Sequence, residues 1–330
     1  MQSFNNKRVL IFGGLGLIGS GVARMCIAQG ASVTIADNRA PIFGANDFNL
    51  SDLDGKFELL TGDVRELNFV QQAVRDKDYV LNFAAQVDHV RSIEDPILDN
   101  QLNCVGHLNV LLACRDINPD AILFYPGSRL QYGSTPTLPV AESHPRRPIS
   151  LYAIHKNTAE QYYQVFSTYH GIRLVCIRIT NPYGPRAQMK NPRYGLVNWF
   201  VRQALDGKTI TVYGNGRQQR DYIYIDDLVD GILQVIATPK CFGHVYNLGS
   251  GQGTRFIDMA KTVVQAVGQG EVVSVPWPKQ FDTSESGDFY ADIAAITSDT
   301  TWTPVTNLSS GIQQTVEYYR VHRDKYWTRE

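Results

Sequence analysis

The fold is decided by the stretch Val9-Leu10-Ile11-Phe12-Gly13-Gly14-Leu15-Gly16-Leu17-Ile18-Gly19, in which a short apolar run leads into closely spaced glycines. The apolar run predicts a buried strand, and a helix pattern starts at Leu17, so the glycines lie at a strand-to-helix turn. Glycine permits the tight turn and lets a diphosphate approach the free N–H groups at the helix N-terminus. We therefore predict a dinucleotide-binding turn in which Gly13, Gly16, Leu17 and Ile18 contact the cofactor.

An acidic residue ends the second apolar run, 18 residues beyond Gly19. The carboxylate of Asp37 is expected to accept hydrogen bonds from a ribose 2′,3′-diol and to repel a 2′-phosphate, which favours NAD over NADP. Arg39 lies close enough in the chain to weaken that preference, and Asn38 is a further candidate for cofactor contact. The predicted cofactor is NAD.

Short apolar runs alternate with helix-length segments through the first 180 residues. Runs that are apolar on both faces are typical of a parallel sheet covered by helices. Glycine ends two of the helical segments, Leu17 to Gln29 and Leu151 to His170. The pattern predicts an α/β fold built on a doubly wound parallel sheet. The candidate strands are Val9–Phe12, Ser32–Ala36, Phe57–Leu60, Tyr79–Phe83, Ala121–Phe124 and Arg173–Ile177.

The regular alternation of strands and helices ends after about Asn181, where several prolines lie close together. We predict a nucleotide-binding domain over residues 1–180 and a smaller mixed α/β lobe over residues 181–330 that mainly binds substrate. A segment of about residues 220–240 is expected to return to the first domain. A helix near Leu196 to Leu205 and a strand near Ile210 to Tyr213 are the clearest elements of the second lobe.

Two further sites along the predicted sheet edge suit a flat cofactor. Asp63 and Val64 follow the third strand at a height where an adenine edge could lie, although Asp63 could instead cap a helix that begins near Arg65. Ala84 and Ala85 end the fourth strand with small side chains, which leaves room for the cofactor over the backbone. All four residues are predicted to contact NAD.

Tyr152 and Lys156 lie four residues apart at the start of a helical segment, so they share one helix face. A phenol with a pKa of about 10 is a poor base at neutral pH. A nearby ammonium favours the phenolate and lowers the pKa, so Tyr152 is expected to exchange a proton with a substrate hydroxyl. Ser128 follows the fifth strand at the same sheet edge and is expected to bind the reacting oxygen.

Composition argues for small-molecule chemistry. The 330 residues carry 31 basic and 32 acidic side chains, a net charge of -1, without a block of like charge that would indicate a nucleic-acid or membrane partner. No signal peptide or membrane-spanning run is expected, and no metal site. The scattered cysteines predict reduced core thiols in a cytoplasmic protein. They are Cys26, Cys104, Cys114, Cys176 and Cys241.

Together these residues resemble the extended short-chain dehydrogenases/reductases of the nucleotide-sugar epimerase/dehydratase family, over nearly the whole chain. The shared features are the GxxGxxG loop, the acid after the second strand, Asp63-Val64, Ser128 and the YxxxK pair. In the second half, Arg178 to Arg186 resembles the segment LRxxNxYGP, and Val212 to Asp227 resembles VYGDGxQxRDxxYVDD. The resemblance implies a Rossmann-type domain.

The resemblance also implies a mechanism, an NAD-dependent epimerisation of a nucleotide-diphosphate sugar. Tyr152 would remove the proton of a sugar hydroxyl, commonly at C4, while the hydrogen on that carbon leaves as hydride. Lys156 would hold the nicotinamide ribose, and Asn103 would either order a water near it or be an ordinary polar helix residue. The substrate diphosphate would contact Asn181, Asn198 and Arg220.

The resemblance further implies a homodimer. In the family, helices near Pro96 to Asn118 and Leu151 to Tyr169 pair with those of a partner. The apolar series that fits such pairing is Leu98, Leu102, Val105, Leu108 and Leu112, although burial within one subunit would look similar.

The sequence departs from the family pattern next to the catalytic serine. Members that form 4-keto-6-deoxy sugars carry an acidic pair there, and decarboxylating members a glutamate, whereas this chain has Arg129 and Leu130. Both reactions are therefore disfavoured. Arg129 could bind a carboxylate or phosphate on the substrate sugar, or be a solvated surface residue. A family arginine near the late Gly-Asp pair is also missing, and Asp282 and Glu285 stand nearby.

Two alternatives to an epimerase stay open. A net dehydrogenase or ketoreductase on a nucleotide sugar uses the same Ser, Tyr and Lys and differs only in releasing NAD(H). A non-catalytic NAD-binding protein would be expected to lack Tyr152 or Lys156, and both are present. His89 and Arg91 are expected near the site, with His89 either a second acid/base or a hydrogen-bonded loop residue.

Overall fold

The chain alternates strands and helices through most of its length in a computed structural model that describes residues 4–277 and 287–328. The strands are β1 (Arg8–Phe12), β2 (Ser32–Asp37), β3 (Phe57–Thr61), β4 (Tyr79–Asn82), β5 (Ile122–Ser128), β6 (Leu174–Ile179), β7 (Asn181–Tyr183), β8 (Ile210–Tyr213), β9 (Gln219–Arg220), β10 (Tyr222–Tyr224), β11 (Val245–Leu248), β12 (Thr254–Arg255) and β13 (Val272–Val275).

The helices are α1 (Leu17–Ala28), α2 (Leu67–Ala73), α3 (His89–Glu94), α4 (Pro96–Asn100), α5 (Gly106–Ile117), α6 (Leu151–His170), α7 (Leu196–Leu205), α8 (Ile225–Ala237), α9 (Phe256–Val267), α10 (Ala294–Asp299) and α11 (Leu308–His322). A π-helical turn, Gln101–Val105, joins α4 to α5. Helix α6 ends as predicted, because Gly171 takes the left-handed conformation (φ 66°) that favours glycine.

Within the described residues, seven parallel strands form the central sheet in the order β11-β6-β5-β4-β1-β2-β3. The chain proceeds outward from β1 in one direction and then from β4 in the other, so the order reverses between β1 and β4. Ligands of doubly wound sheets bind at the carboxyl ends of the strands beside such a reversal. The predicted α/β class is confirmed, and the reversal positions the candidate site.

Two strands differ from the sequence prediction. Strand β11 was not predicted as part of the sheet; it is only four residues long and adds to the edge by pairing with β6. Strand β5 was predicted to end at Phe124 but continues through Pro126 to Ser128, because β6 pairs alongside it up to Ile179. Its other neighbour, β4, pairs with it only as far as Phe124, so Pro126 does not interrupt a two-sided ladder.

Helices cover both faces of the sheet. Helices α1 and α8 pack together on one face, and α2, α5 and α6 pack on the other. The strands between them are apolar on both faces, as in β4, where all four residues are buried. This double burial makes the sheet a rigid platform for residues at its edge.

A smaller set of elements packs at the carboxyl end of the sheet. Helices α7, α9 and α11 contact one another, and short strand pairs join β8 to β13, β7 to β10 and β9 to β12. Helix α8 and strand β11 come from the second half of the chain but pack on the sheet. The division at residue 180 stays a prediction.

The cysteines are core residues, and the described helices do not have the length and apolarity of membrane-spanning segments. All five cysteines are buried without a disulfide. None of the described helices is both long and apolar enough to cross a bilayer.

Candidate active site

Two of the predicted catalytic side chains meet at the carboxyl end of β5. Ser128 is the last residue of that strand, and Tyr152 lies in the first turn of α6. Helix α6 starts there because the Ser150 hydroxyl caps it, accepting a 3.3 Å hydrogen bond from the Ala153 N–H. The Ser128 hydroxyl lies close enough to the Tyr152 phenol to lower the pKa of that phenol, and each residue is only 7% exposed. The two hydroxyl groups can therefore bind one substrate oxygen together.

Lys156 lies one turn after Tyr152, but its ammonium is not the group that sets the pKa of the phenol. Burial raises the pKa of Tyr152 above its ordinary value; the hydrogen bond with Ser128 opposes this rise, and the Asp99 carboxylate adds to it. Lys156 is not among these causes, and its Nζ lies over the Tyr125 ring, 5.0 Å from the centroid. The effect of Lys156 on the pKa of Tyr152 stays a prediction.

The Lys156 ammonium is itself deeply buried, with 3% of the residue exposed. Burial lowers the pKa of Lys156 to about 8, and the negative charge of Asp99 opposes that shift. The backbone beside it is held by the Tyr125 hydroxyl, which donates a 2.5 Å hydrogen bond to the Lys156 carbonyl.

His89 and Arg129 complete the surroundings of the Tyr152 phenol. The ring centroids of His89 and Tyr152 are 5.1 Å apart. Burial lowers the pKa of His89 to about 4, with the positive charge of Arg129 adding to the effect, so the imidazole is neutral at pH 7. Arg129 is half-buried, its Nε 3.4 Å from the Asn181 side-chain oxygen and its guanidinium 5.3 Å from the Phe289 ring centroid. These contacts favour a role of Arg129 in the site over a solvated surface position.

A buried network that the sequence analysis missed holds Ser128 in place. Gln131 Oε1 accepts a 2.7 Å hydrogen bond from the Ser128 N–H, and Gln131 Nε2 donates one of 2.6 Å to Glu160. Glu160 also accepts bonds of 2.7 and 3.0 Å from Arg178 and one of 2.7 Å from Arg146. Glu160 follows Lys156 by one helical turn, so its i+4 spacing was the available signal.

A second cluster missed by the sequence analysis lies behind Lys156. The Asp99 carboxylate is fully buried and accepts hydrogen bonds from Gln86 Nε2 (2.6 Å), Asn103 Nδ2 (3.1 Å) and His155 Nδ1 (2.5 Å). Asn103 thus bonds protein groups, among them the Gln86 carbonyl at 2.8 Å. The signal was in the sequence, since Asp99, Asn103 and His107 recur every four residues along one helical segment.

Eight of the predicted cofactor residues line one cleft, beside the glycine turn. Helix α1 begins after Gly16 without a side-chain cap, which leaves its N–H groups, those of Leu17 and Ile18 among them, available to an anion. A methyl group at Gly13 would lie 2.7 Å from the Ala84 nitrogen, whereas one at Gly16 meets nothing closer than 3.5 Å. The glycine turn therefore fits a diphosphate. The other predicted residues along the cleft are Asp37, Asn38, Asp63, Val64, Ala84 and Ala85.

The acidic residues of the cleft are already braced by the protein. Asp37 accepts hydrogen bonds from the backbone N–H groups of Leu15 (3.0 Å) and Arg39 (2.8 Å), which orients its carboxylate at the end of β2. Asp63 does not cap a helix, because α2 begins at Leu67 with Glu66 before it. Burial opposes ionisation of Asp63, yet hydrogen bonds from Arg65 and Asn38 hold its pKa at about 2.

The predicted substrate residues separate in the structure. Asn181 lies beside Arg129, as described above. Asn198 is fully buried, and its amide exchanges hydrogen bonds of 3.2 and 2.7 Å with the backbone of Gly184. It braces that turn in this structure, and the substrate-binding role of Asn198 stays a prediction. Arg220 donates to the carbonyl groups of Gln219 (2.8 Å) and Gly287 (2.7 Å).

Arg91 and two acidic residues late in the chain were also predicted near the site. Arg91 stacks its guanidinium 5.6 Å from the ring centroid of Phe43, a residue that lines the cofactor cleft. Asp282 and Glu285, predicted near the substrate diphosphate, lie outside the described residues. In the described ranges no group of three or more His, Cys, Asp or Glu side chains is arranged to hold a metal ion.

The chain matches a known family by sequence. A model of the NAD dependent epimerase/dehydratase family matches residues 9–249. The chain belongs to this family. As a member of the NAD dependent epimerase/dehydratase family it is an enzyme, and the predicted cofactor, NAD, is confirmed by the family assignment.

Individual members of the NAD dependent epimerase/dehydratase family differ in the reaction named for them. A putative UDP-glucose 4-epimerase of Methanocaldococcus jannaschii is 27% identical over 317 residues, which cover 94% of this chain and 98% of that protein. UDP-glucuronic acid decarboxylase 1 of Xenopus tropicalis is 29% identical over 323 residues, covering 96% and 73%. The crystal structure of UDP-glucose 4-epimerase from Thermus thermophilus in complex with NAD superimposes with a TM-score of 0.84 at 29% identity, covering 95% and 99%.

Proposed function

We propose that the protein is a nucleotide-sugar epimerase that oxidises one sugar hydroxyl, at C4, transiently through Tyr152, Ser128 and Lys156. The observation that carries this proposal is the meeting of two buried hydroxyl groups, Ser128 at the carboxyl end of β5 and Tyr152 in the first turn of α6. The relatives named UDP-glucose 4-epimerase support C4 and a uridine nucleotide. Arg129 and Leu130 stand where dehydration would need an acidic pair, which speaks against that reaction.

In this proposal each side chain has one task. Tyr152 takes the hydroxyl proton and later returns it, while Ser128 holds the same oxygen by a hydrogen bond. NAD, when bound along Gly13, Gly16, Asp37 and the rest of the cleft, supplies hydride transfer. Because burial raises the pKa of Tyr152, the phenol is protonated at pH 7, so base function requires positive charge to approach it. Lys156 is the cation placed to do so.

The substrate would enter beside Arg129. Asn181 bonds both Arg129 and the carbonyl of Asp221 (2.7 Å), which fixes its amide at the rim of the site. Arg220 is held by two carbonyl groups and keeps a delocalised positive charge suited to a diphosphate. We assign the diphosphate to Arg220 and Asn181, and a polar sugar substituent to Arg129.

Replacing Tyr152 with phenylalanine tests the proposal. Tyr152→Phe should lower the turnover of UDP-galactose and UDP-glucose by about 100-fold or more, since general-base catalysis is lost, while NAD stays bound. Tyr169→Phe is the matched control: it lies on the same helix but is 79% exposed, and should leave turnover unchanged. Full activity of Tyr152→Phe would contradict the mechanism.

The form in which the enzyme carries its cofactor separates an epimerase from a net oxidoreductase. An epimerase returns its hydride in each cycle, so denaturing the purified protein should release tightly held NAD, detected by mass spectrometry. Protein that emerges empty and binds NADH reversibly would instead indicate a dehydrogenase or ketoreductase.

We also infer a homodimer through the outer faces of α6 and the π-helical turn before α5. The leucines named in the sequence analysis do not carry this inference, because Leu102 is buried and Leu98, Leu108 and Leu112 pack against the core of their own subunit. Exposed apolar side chains on these elements do carry it, namely Val105, Ile154, Val165 and Tyr169. Light scattering should give twice the chain mass for the wild type and a monomer for Val165→Asp.

A further inference from the structure

The buried cluster around Asp99 forms a carboxylate site directly behind the catalytic helix. Asp99 lies in α4, and two of its hydrogen-bond partners come from other segments, Gln86 after β4 and His155 on α6. The third, Asn103, lies in the π-helical turn and donates its hydrogen bond to Asp99 from there. Three donors from three places in the sequence point their hydrogens at one fully buried carboxylate, so the structure specifies the position of this charge.

Lys156 needs such a charge. Its ammonium is buried, and among the described residues its Nζ forms no hydrogen bond and lies over the face of the Tyr125 ring. An ammonium removed from water is stable only if a negative charge lies within reach. Two other buried carboxylates of this region already have partners. Glu160 accepts hydrogen bonds from Arg178 and Arg146. Asp88 caps α3, accepts a hydrogen bond from Asn191 and pairs with Arg193. Asp99 has no arginine or lysine bonded to it among the described residues.

The residue order along α6 links the two groups. His155 immediately precedes Lys156, and its ring nitrogen Nδ1 lies 2.5 Å from Asp99 Oδ2. On the neighbouring turn, the Cys104 thiol donates a 3.5 Å hydrogen bond to the His155 carbonyl. The segment that carries Lys156 is therefore attached to the Asp99 cluster both by a side chain and by its backbone.

We propose that Asp99, held by Gln86, Asn103 and His155, is the counter-ion that keeps Lys156 charged inside the site, and hence a positioning residue for the reaction. The proposal rests on the function proposed above only in that Lys156 is taken as a residue of the reaction; the charge relation between Asp99 and Lys156 stands without any substrate.

Electrostatic effects are consistent with this geometry. Asp99 favours the ammonium of Lys156 and disfavours the phenolate of Tyr152, raising the pKa of both groups. Removing the Asp99 charge must therefore move the titration midpoints of Lys156 and of Tyr152 to lower pH. The other groups that face this pair are His89, with Asp88 and Arg129 acting on it, Cys104, His107, Tyr125 and His155.

The test measures Lys156 itself, in the NAD-bound protein labelled with ¹³C,¹⁵N-lysine. The Lys156 signal is the one that disappears in Lys156→Met, and its chemical shift is followed against pH by NMR. In Asp99→Asn, which keeps size and hydrogen-bonding capacity, the midpoint should fall by about one pH unit or more. An unchanged midpoint in folded Asp99→Asn overturns the proposal.

A second variant keeps the proposal testable if Asp99→Asn does not fold. His155→Gln keeps a side-chain donor for Asp99 and removes only the imidazole. If Asp99 is the counter-ion, the Lys156 midpoint must stay unchanged when His155 is neutral, or rise when it is an imidazolium. A lower midpoint in His155→Gln overturns the proposal.

A kinetic readout separates this proposal from the proposed function. With UDP-galactose as the probe, both limbs of the pH–turnover profile of Asp99→Asn should move to lower pH, which loss of packing alone would not produce. If the wild type does not turn over any UDP-hexose but the NMR midpoint falls, the epimerase assignment fails and the counter-ion stands. If turnover of Asp99→Asn falls equally at every pH and neither limb of the profile shifts, the assignment of Asp99 as a positioning residue for the reaction fails.

Discussion

The proposed site has two regions, a cofactor end at the glycine turn and a substrate end at Arg129 and Arg220, and they are held together over very different distances along the chain. At the cofactor end the glycine turn spans seven residues, and Asp37 is braced by neighbours two and 22 residues away. At the substrate end, Arg129 meets Asn181 across 52 residues and Arg220 meets Gly287 across 67. A turn of local contacts forms wherever its short sequence occurs, whereas long-range contacts exist only once the rest of the fold has formed.

The largest expected effect is at Glu160, the centre of the long-range network that supports Ser128. Glu160→Gln leaves the buried guanidinium of Arg178 without its full counter-charge and should cost about 3–5 kcal/mol of unfolding free energy. Urea denaturation at pH 7 measures this, with NAD affinity determined alongside. Asp116→Asn, which breaks an ion pair on the exposed surface, should leave the denaturation curve in place. Glu160→Gln of wild-type stability would show that the substrate end does not depend on this network.

A smaller effect is expected at Asn198, and it separates bracing from binding. Asn198→Ala leaves the buried N–H and carbonyl of Gly184 without partners, which costs about 1–3 kcal/mol of stability. The KM for UDP-galactose should hardly change. Asn181→Ala is the matched variant: its half-buried amide meets Arg129, so it should raise KM with less loss of stability. The opposite assignment of KM and stability would place Asn198 back at the substrate.

The smallest expected effect is at the glycine turn and tests how local the cofactor end is. Gly16→Ala adds a methyl group that touches no protein atom closer than 3.5 Å but points into the diphosphate space. NAD affinity should fall about tenfold, or about 1.4 kcal/mol, by calorimetry, while the melting temperature stays the same. At Gly19 the added methyl would collide with the Gly13 carbonyl, so Gly19→Ala should lower the melting temperature. If Gly16→Ala and Gly19→Ala lost the same stability, Gly16 would have a structural role, and the idea that its substitution affects only the bound cofactor would be contradicted.

Most of the fold could be predicted from the sequence, because strands apolar on both faces and helices ended by glycine leave their pattern in consecutive residues. The exceptions are instructive. Strand β11 is short and at the edge, so its pairing with β6 depends on contacts far along the chain. The extension of β5 through Pro126 likewise depends on β6 lying beside it. In neither case do the neighbouring residues along the chain show which strand will pair there.

The sequence by itself determined the α/β sheet, the glycine turn and the acid at Asp37, and it predicted the Ser128, Tyr152 and Lys156 set. Each of these depends on spacing within one element or on the edge where a strand ends. Only the tertiary structure decided that Asn198 braces Gly184, that burial raises the pKa of Tyr152, and that Asp99 lies behind Lys156. The physical reason is that hydrogen bonding and desolvation depend on what surrounds a group in space. Spacing along the chain selects a face of a helix; the packed interior decides which groups that face meets.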